Sequence, residues 1–246
     1  MQLKKVLIAI LVLLSIVFLS LQLLQYEIEA AGARTLLLFF LTALYCHTVK
    51  TKRFYFFMFL VTFTISEILN FTSWFILLDF DSIDYFYYIG NGLYILSYIF
   101  LIIQVLKTMN IREVVTKFPL HIIILLVLDV FCVLIVTSTT RGQLSYNEYA
   151  LEFLYNAVIM LLLSLALINY IYRDDKKSMN LLVGSIFIVF SEVIQLAYFY
   201  ISEINFLNVL CSLLLVIAFL FFYLQARLNH EEKEYRPISQ SENLKA

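Results

Sequence analysis

Charge is scarce in this sequence. Asp, Glu, Lys and Arg make up 14% of its 246 residues and leave a formal net charge of -1. The cations are scattered over many short segments with no basic face, which excludes a nucleic-acid partner. Cysteine is scarcer still: Cys46, Cys132 and Cys211 fall one each in three separate apolar runs. An odd number in apolar surroundings reads as small packing residues and excludes a disulfide framework. His47, His121 and His230 show no ligand spacing with these cysteines or with acids, so no metal site is expected. No nucleophile, base and orienting group stand at a spacing recognisable for amide hydrolysis.

What is present is apolar. The chain is 63% hydrophobic, with only 5 Gly and 2 Pro, and its mean hydropathy is +0.91. A soluble domain of this length could not hide so much apolar surface, so lipid is the expected solvent. Eight apolar runs are long enough to span: 6–24, 33–49, 54–78, 84–106, 118–138, 148–172, 179–201 and 204–226. The first exceeds the ~7–15 residues of a signal-peptide core, and Gln22, Gln25, Glu27 and Glu29 separate it from the small residues Ala31-Gly32-Ala33. It is therefore taken as a retained span. Pro119 fits the first turn of the fifth helix, where its missing N–H costs nothing. The fold expected is an all-α integral membrane protein with eight transmembrane helices over 1–228, followed by a polar cytoplasmic tail, 229–246.

The cations orient it. Of the 17 Lys and Arg, only Arg34 and Arg141 fall on one side of an eight-span topology; all others alternate onto the opposite side. Both termini are then cytoplasmic, in a bacterial inner membrane. The other face carries Asp79, Asp81, Asp84, Glu148 and Glu203, with an aromatic belt from Tyr85 to Tyr88.

Two acids stand inside spans. Ser66-Glu67-Ile68-Leu69-Asn70 lies in the third run, and Ser191-Glu192-Val193-Ile194-Gln195 recurs 125 residues later in the seventh. Each Glu has an amide three residues on, on the same helix face. The same offset lays 33–49 over 158–174, so helices 2–4 and 6–8 form a parallel internal repeat. Each Glu is 13 residues into its run, about 20 Å from the cytoplasmic end at ~1.5 Å per residue. Asp129, 11 residues into the fifth run, is the third acid at depth, and no Lys or Arg is expected at that level to pair with the three. Buried carboxyls are costly and mark functional sites. Two carboxyls in unlike surroundings can serve hydrolysis, one donating a proton and the other activating water. That suits a bond made labile by protonation, such as an enol ether. The same groups also suit interhelical hydrogen bonding with Ser66, Ser191, Asn70 and Gln195. Tyr155 and Asn156 share that interior only under one rotation of their helix.

At these Ser-Glu pairs the sequence resembles the bacterial YhhN family, whose animal relatives are the lysoplasmalogenases. Family motifs are Gly-Asp in helix three and Ser-Asp in helix seven; here Ser66-Glu67 and Ser191-Glu192 occupy them, with glutamate for aspartate. The approach Gly184-Ser185 into Ser191-Glu192, the sixth helix over 155–170 with Met160 and Ala166, and Arg34 ahead of 36–44 are also similar. Ser97-Tyr98 stands where the family often has Ala-His, and 209–219 lacks its Tyr and Ala-Gln. The resemblance implies eight spans and hydrolysis of the vinyl ether bond of a lysoplasmalogen, with no cofactor. Glu67 and Glu192 would be the acid and base, tuned by Asp129, with Ser66, Asn70, Ser191 and Gln195 in the substrate site. The competing readings are a proton-coupled carrier using the same acids and a structural or sensory membrane subunit.

Overall fold

The computed structural model describes residues 2–49, 52–76 and 85–228. Lys50, the acids Asp79, Asp81 and Asp84, and the 229–246 tail lie outside the described residues. The described residues form nine helices and no strand: α1 (Gln2–Leu23), α2 (Glu27–Thr48), α3 (Phe54–Ser73), α4 (Tyr85–Leu106), α5 (Ile111–Lys117), α6 (Pro119–Ser138), α7 (Tyr146–Arg173), α8 (Lys176–Tyr200) and α9 (Asn205–Arg227). All but α5 are long and apolar enough to cross a membrane, which makes this an integral membrane protein. In lipid no water is available to the backbone, so each span must satisfy its own N–H and C=O groups, and a helix does so.

Local chemistry sets the ends. A capping box opens α7, where Ser145 N donates to Glu148 Oε2 at 2.8 Å. Asp175 opens α8, its Oδ1 accepting from Ser178 N at 2.7 Å. Asp174, in the left-handed region at φ 52, closes α7 and lets two residues reverse the chain. Pro119 occupies the first turn of α6, as expected. Two boundaries differ from the sequence reading. Glu27 and Glu29, read as a polar interruption, are the first turn of α2, where acids favour the helix dipole. The seven-residue α5 was too short for a hydrophobicity pattern to reveal.

The packing order is a ring. α2 contacts α3, α3 contacts α4, α4 contacts α7, α7 contacts α8, α8 contacts α9, and α9 returns to α2. α1 lies outside against α2 and α9, and α6 lies outside against α7. In this ring α3 and α8 face one another across the centre. Packing and interhelical hydrogen bonds hold it, since lipid is as apolar as the helix surfaces. Ser66 Oγ donates to Gly90 O (2.7 Å) and Ser191 Oγ to Cys211 O (2.7 Å); Thr42 meets Thr64 (3.2 Å), and Thr48 meets Tyr223 (3.1 Å). An aromatic cluster of Phe59, Phe63, Phe219 and Phe222 fills the cation-rich half of the ring, with centroids 4.8–6.0 Å apart. Each of these rings is 2% exposed or less.

Candidate functional site

Above that aromatic plug the ring encloses a cavity of about 380 Å³. It is lined from α2, α3, α4, α7, α8 and α9, and reaches Ser73, Phe86 and Tyr200 at helix ends. That end of the bundle is the cation-poor one. Phe86 and Tyr87, read as part of an interfacial belt, stand at the mouth, whereas Tyr85 is exposed on the outside.

Glu67 projects from α3 and Glu192 from α8, and both line the cavity. Their surroundings differ. Glu67 is buried, and the expectation that no cation reaches it is overturned. Arg34 of α2 pairs with it, Nε to Oε2 at 2.6 Å, while Tyr94 of α4 donates to Oε1 at 2.8 Å. The charge pattern alone places Arg34 at the membrane surface. It stands seven residues into α2, ~10 Å from that helix end. The signal was present in the sequence: Arg34 follows 27–33, which is helical once Glu27 and Glu29 are read as a first turn.

Among the described residues no such cation stands in hydrogen-bond reach of Glu192. Tyr98 donates to its Oε1 at 3.1 Å, and Tyr155 lines the cavity with it. Tyr94 and Tyr98 are one turn apart on α4, ~6 Å of rise, so that helix holds the two carboxyls at successive levels. Tyr155 packs edge-on to both tyrosines, at 6.5 and 6.0 Å. Ser97-Tyr98, noted only as a departure from the family, thus contributes a direct partner of Glu192.

Asn70 and Gln195 line the cavity. The other expected site residues do not. Ser66 and Ser191 give their hydroxyls to backbone carbonyls of the neighbouring helix, because a serine adjacent to each glutamate is turned ~100° away from it. Asp129 is excluded as a member of the cluster. Its Oδ1 accepts from Ser164 of α7 at 2.8 Å, and Ser164 lies nine residues from Tyr155, about 180° around the helix. Asp129 therefore sits behind α7, on the outer α6–α7 seam.

The third cavity carboxylate is Glu152 of α7, which the sequence reading did not single out. It is 8% exposed, and Asn156 Nδ2 donates to its Oε1 at 3.0 Å. Tyr155 faces the cavity while Asn156 turns toward α6, reaching Thr137 Oγ1 at 3.2 Å. Among the described residues no group of three or more His, Cys, Asp or Glu is arranged to hold a metal ion. The cavity is equipped for proton transfer: one ion-paired carboxylate and two carboxyls with neutral partners, with tyrosine hydroxyls donating to Glu67 and Glu192. No family model, curated protein or solved structure matches the chain.

Proposed function

We propose that this chain is a divergent YhhN-like membrane hydrolase that cleaves the vinyl ether bond of a lysoplasmalogen-type lipid. The observation that carries the reading is that Glu67 and Glu192, from opposite sides of the ring, line one cavity. The cavity ends on packed aromatic rings, and a blind pocket suits a reaction site better than a transport path. Its volume lies within the roughly 300–1,000 Å³ of small-molecule sites. Glu192, held by neutral hydroxyls, delivers its proton to the distal vinyl carbon. Positive charge develops on the ether-bearing carbon, water adds there, and a cavity carboxylate takes the water's proton. That carboxylate gives its proton to the departing ether oxygen as the hemiacetal collapses to a fatty aldehyde and the head-group alcohol, and the hemiacetal hydroxyl proton returns to Glu192. The Arg34–Glu67 pair is a fixed dipole beside this centre.

Ring order supports a parallel repeat: advancing three places takes α2 to α7, α3 to α8 and α4 to α9, with α1 and α6 as the outer members. The two Ser-to-carbonyl bonds fall on equivalent helix pairs. With the cation-rich end inward, both termini are cytoplasmic in a bacterial inner membrane, and substrate enters from the opposite leaflet.

The test is aldehyde release from a 1-alkenyl lysophospholipid by purified protein in vesicles. Glu192→Gln should lower the rate about 10²-fold or more, while Asp129→Asn keeps it. Wild-type protein that releases no aldehyde refutes the reading.

A further inference from the structure

Three carboxylates reach the cavity, but their oxygens are not equally available. Glu67 is the most constrained. Arg34 occupies Oε2 and Tyr94 occupies Oε1, and the side chain is 3% exposed. A base needs an oxygen free to receive a proton from water within hydrogen-bond reach. Taking a proton at Glu67 would neutralise the carboxylate that pairs with Arg34.

Glu152 has that oxygen. Asn156 clamps Oε1 from one turn along the same helix, and it is itself tied to Thr137 of α6. The clamp fixes the side chain's direction without covering Oε2, for which no hydrogen-bond partner occurs among the described residues. Glu152 is also well placed relative to the proton donor. Tyr155, three residues further on, lines the same cavity as Glu192, and Glu152 stands ~4.5 Å nearer the mouth on the same face of α7. Glu152 and Glu192 line the same cavity, from the adjacent helices α7 and α8. One carboxyl deep and one a turn nearer the opening leave room between them for the reacting bond and a water.

We propose that Glu152, rather than Glu67, is the base that deprotonates the attacking water. The proposal rests on the ether-hydrolase reading. Glu192 gives its proton to carbon, and the water's oxygen bonds to the oxocarbenium carbon as one water proton passes to Glu152 Oε2. Glu152 then returns that proton to the departing ether oxygen as the hemiacetal C–O bond breaks, and the hemiacetal hydroxyl proton restores Glu192. No proton is gained or lost over the cycle. Glu67 and Arg34 position Tyr94 and hold the α2–α3 wall.

The experiment follows aldehyde release from a 1-alkenyl lysophospholipid by full-length protein in vesicles. Wild type is measured first; if it releases none, the hydrolase reading itself fails. With an active wild type, Glu152→Gln keeps the Asn156 contact and should lower kcat at least 10²-fold with KM within about threefold. Glu152→Ala should be equally slow and regain rate as formate is added, the small carboxylate supplying the missing base. Wild-type kcat in Glu152→Gln, or a Glu152→Ala variant that formate leaves unchanged, overturns the assignment to Glu152.

Discussion

Removing Arg34 tests the central electrostatic feature of this protein. In Arg34→Met the Glu67 carboxylate keeps only the 2.8 Å Tyr94 bond in a wall that leaves it 3% exposed. Breaking a buried pair from one side costs roughly 3–5 kcal/mol, because the remaining charge is uncompensated. Taking about 3 kcal/mol and ~2–4 °C per kcal/mol for a chain of this size, the melting temperature should fall by roughly 6–12 °C. The reverse change, Glu67→Gln, should cost less. Arg34 is the more exposed partner at 16%, so its guanidinium can draw on water in the cavity, and Gln can still accept from Tyr94. The double variant Arg34→Met/Glu67→Gln should recover much of the loss, with a coupling of about 2 kcal/mol or more. The assay is thermal unfolding of the purified protein in a mild detergent, with all four proteins in one double-mutant cycle. Additive losses, or a melting point for Arg34→Met within about one degree of wild type, would show that the pair contributes no net coupling.

Two further outcomes follow from positions away from the cavity. At Gly184 an added Cβ would sit 2.7 Å from the Phe222 ring and 3.3 Å from Ala218 O, so Gly184→Ala should cost about 1–3 kcal/mol of thermal stability, and adding Phe222→Leu should relieve it. Glu113 of α5, outside the spans, is held below its ordinary value of 4.5 by hydrogen bonds from Lys117 and Tyr172; its contribution is therefore complete at neutral pH and lost as pH falls through that lowered value. Amide exchange in α5, corrected for intrinsic rates, should be flat from neutral pH until below 4.5 and then rise, and Glu113→Gln should abolish the step.

The spans were legible because lipid imposes one demand along the whole chain, and a run of apolar residues meets it whatever its neighbours are. Depth was legible for the same reason: counting residues from a helix end locates a side chain along the membrane normal. Azimuth was not. Asp129 has the depth of the two glutamates, but α6 packs only on the outer side of the ring, so depth alone misassigned it. Arg34 shows the complementary error. Charge counting treats every cation as a surface marker, yet this one is a counter-ion inside the bundle, and only the helical reading of Glu27 and Glu29 moves it to that depth. Glu152 carried a local signal in its spacing to Tyr155 and Asn156. That spacing gained meaning only once α7 was known to stand between α4 and α8.

The pattern Ser-Glu-x-x-amide divides its work by helical angle. Successive residues point ~100° apart, and residues three apart lie within ~60° of one another. In α3 this sends Ser66 toward α4, where it bonds Gly90 O, and leaves Glu67 and Asn70 on the cavity wall. In α8 it sends Ser191 toward α9 and Cys211 O, with Glu192 and Gln195 on the opposite wall. A costly carboxyl is thus secured by its immediate neighbour: the serine fixes the rotation of the helix, and that rotation keeps the glutamate turned inward. A shift of one residue in this pattern would turn the carboxyl toward a neighbouring helix and the serine toward the cavity. The serines therefore do not line the cavity, and their place beside the acids still has a physical cause.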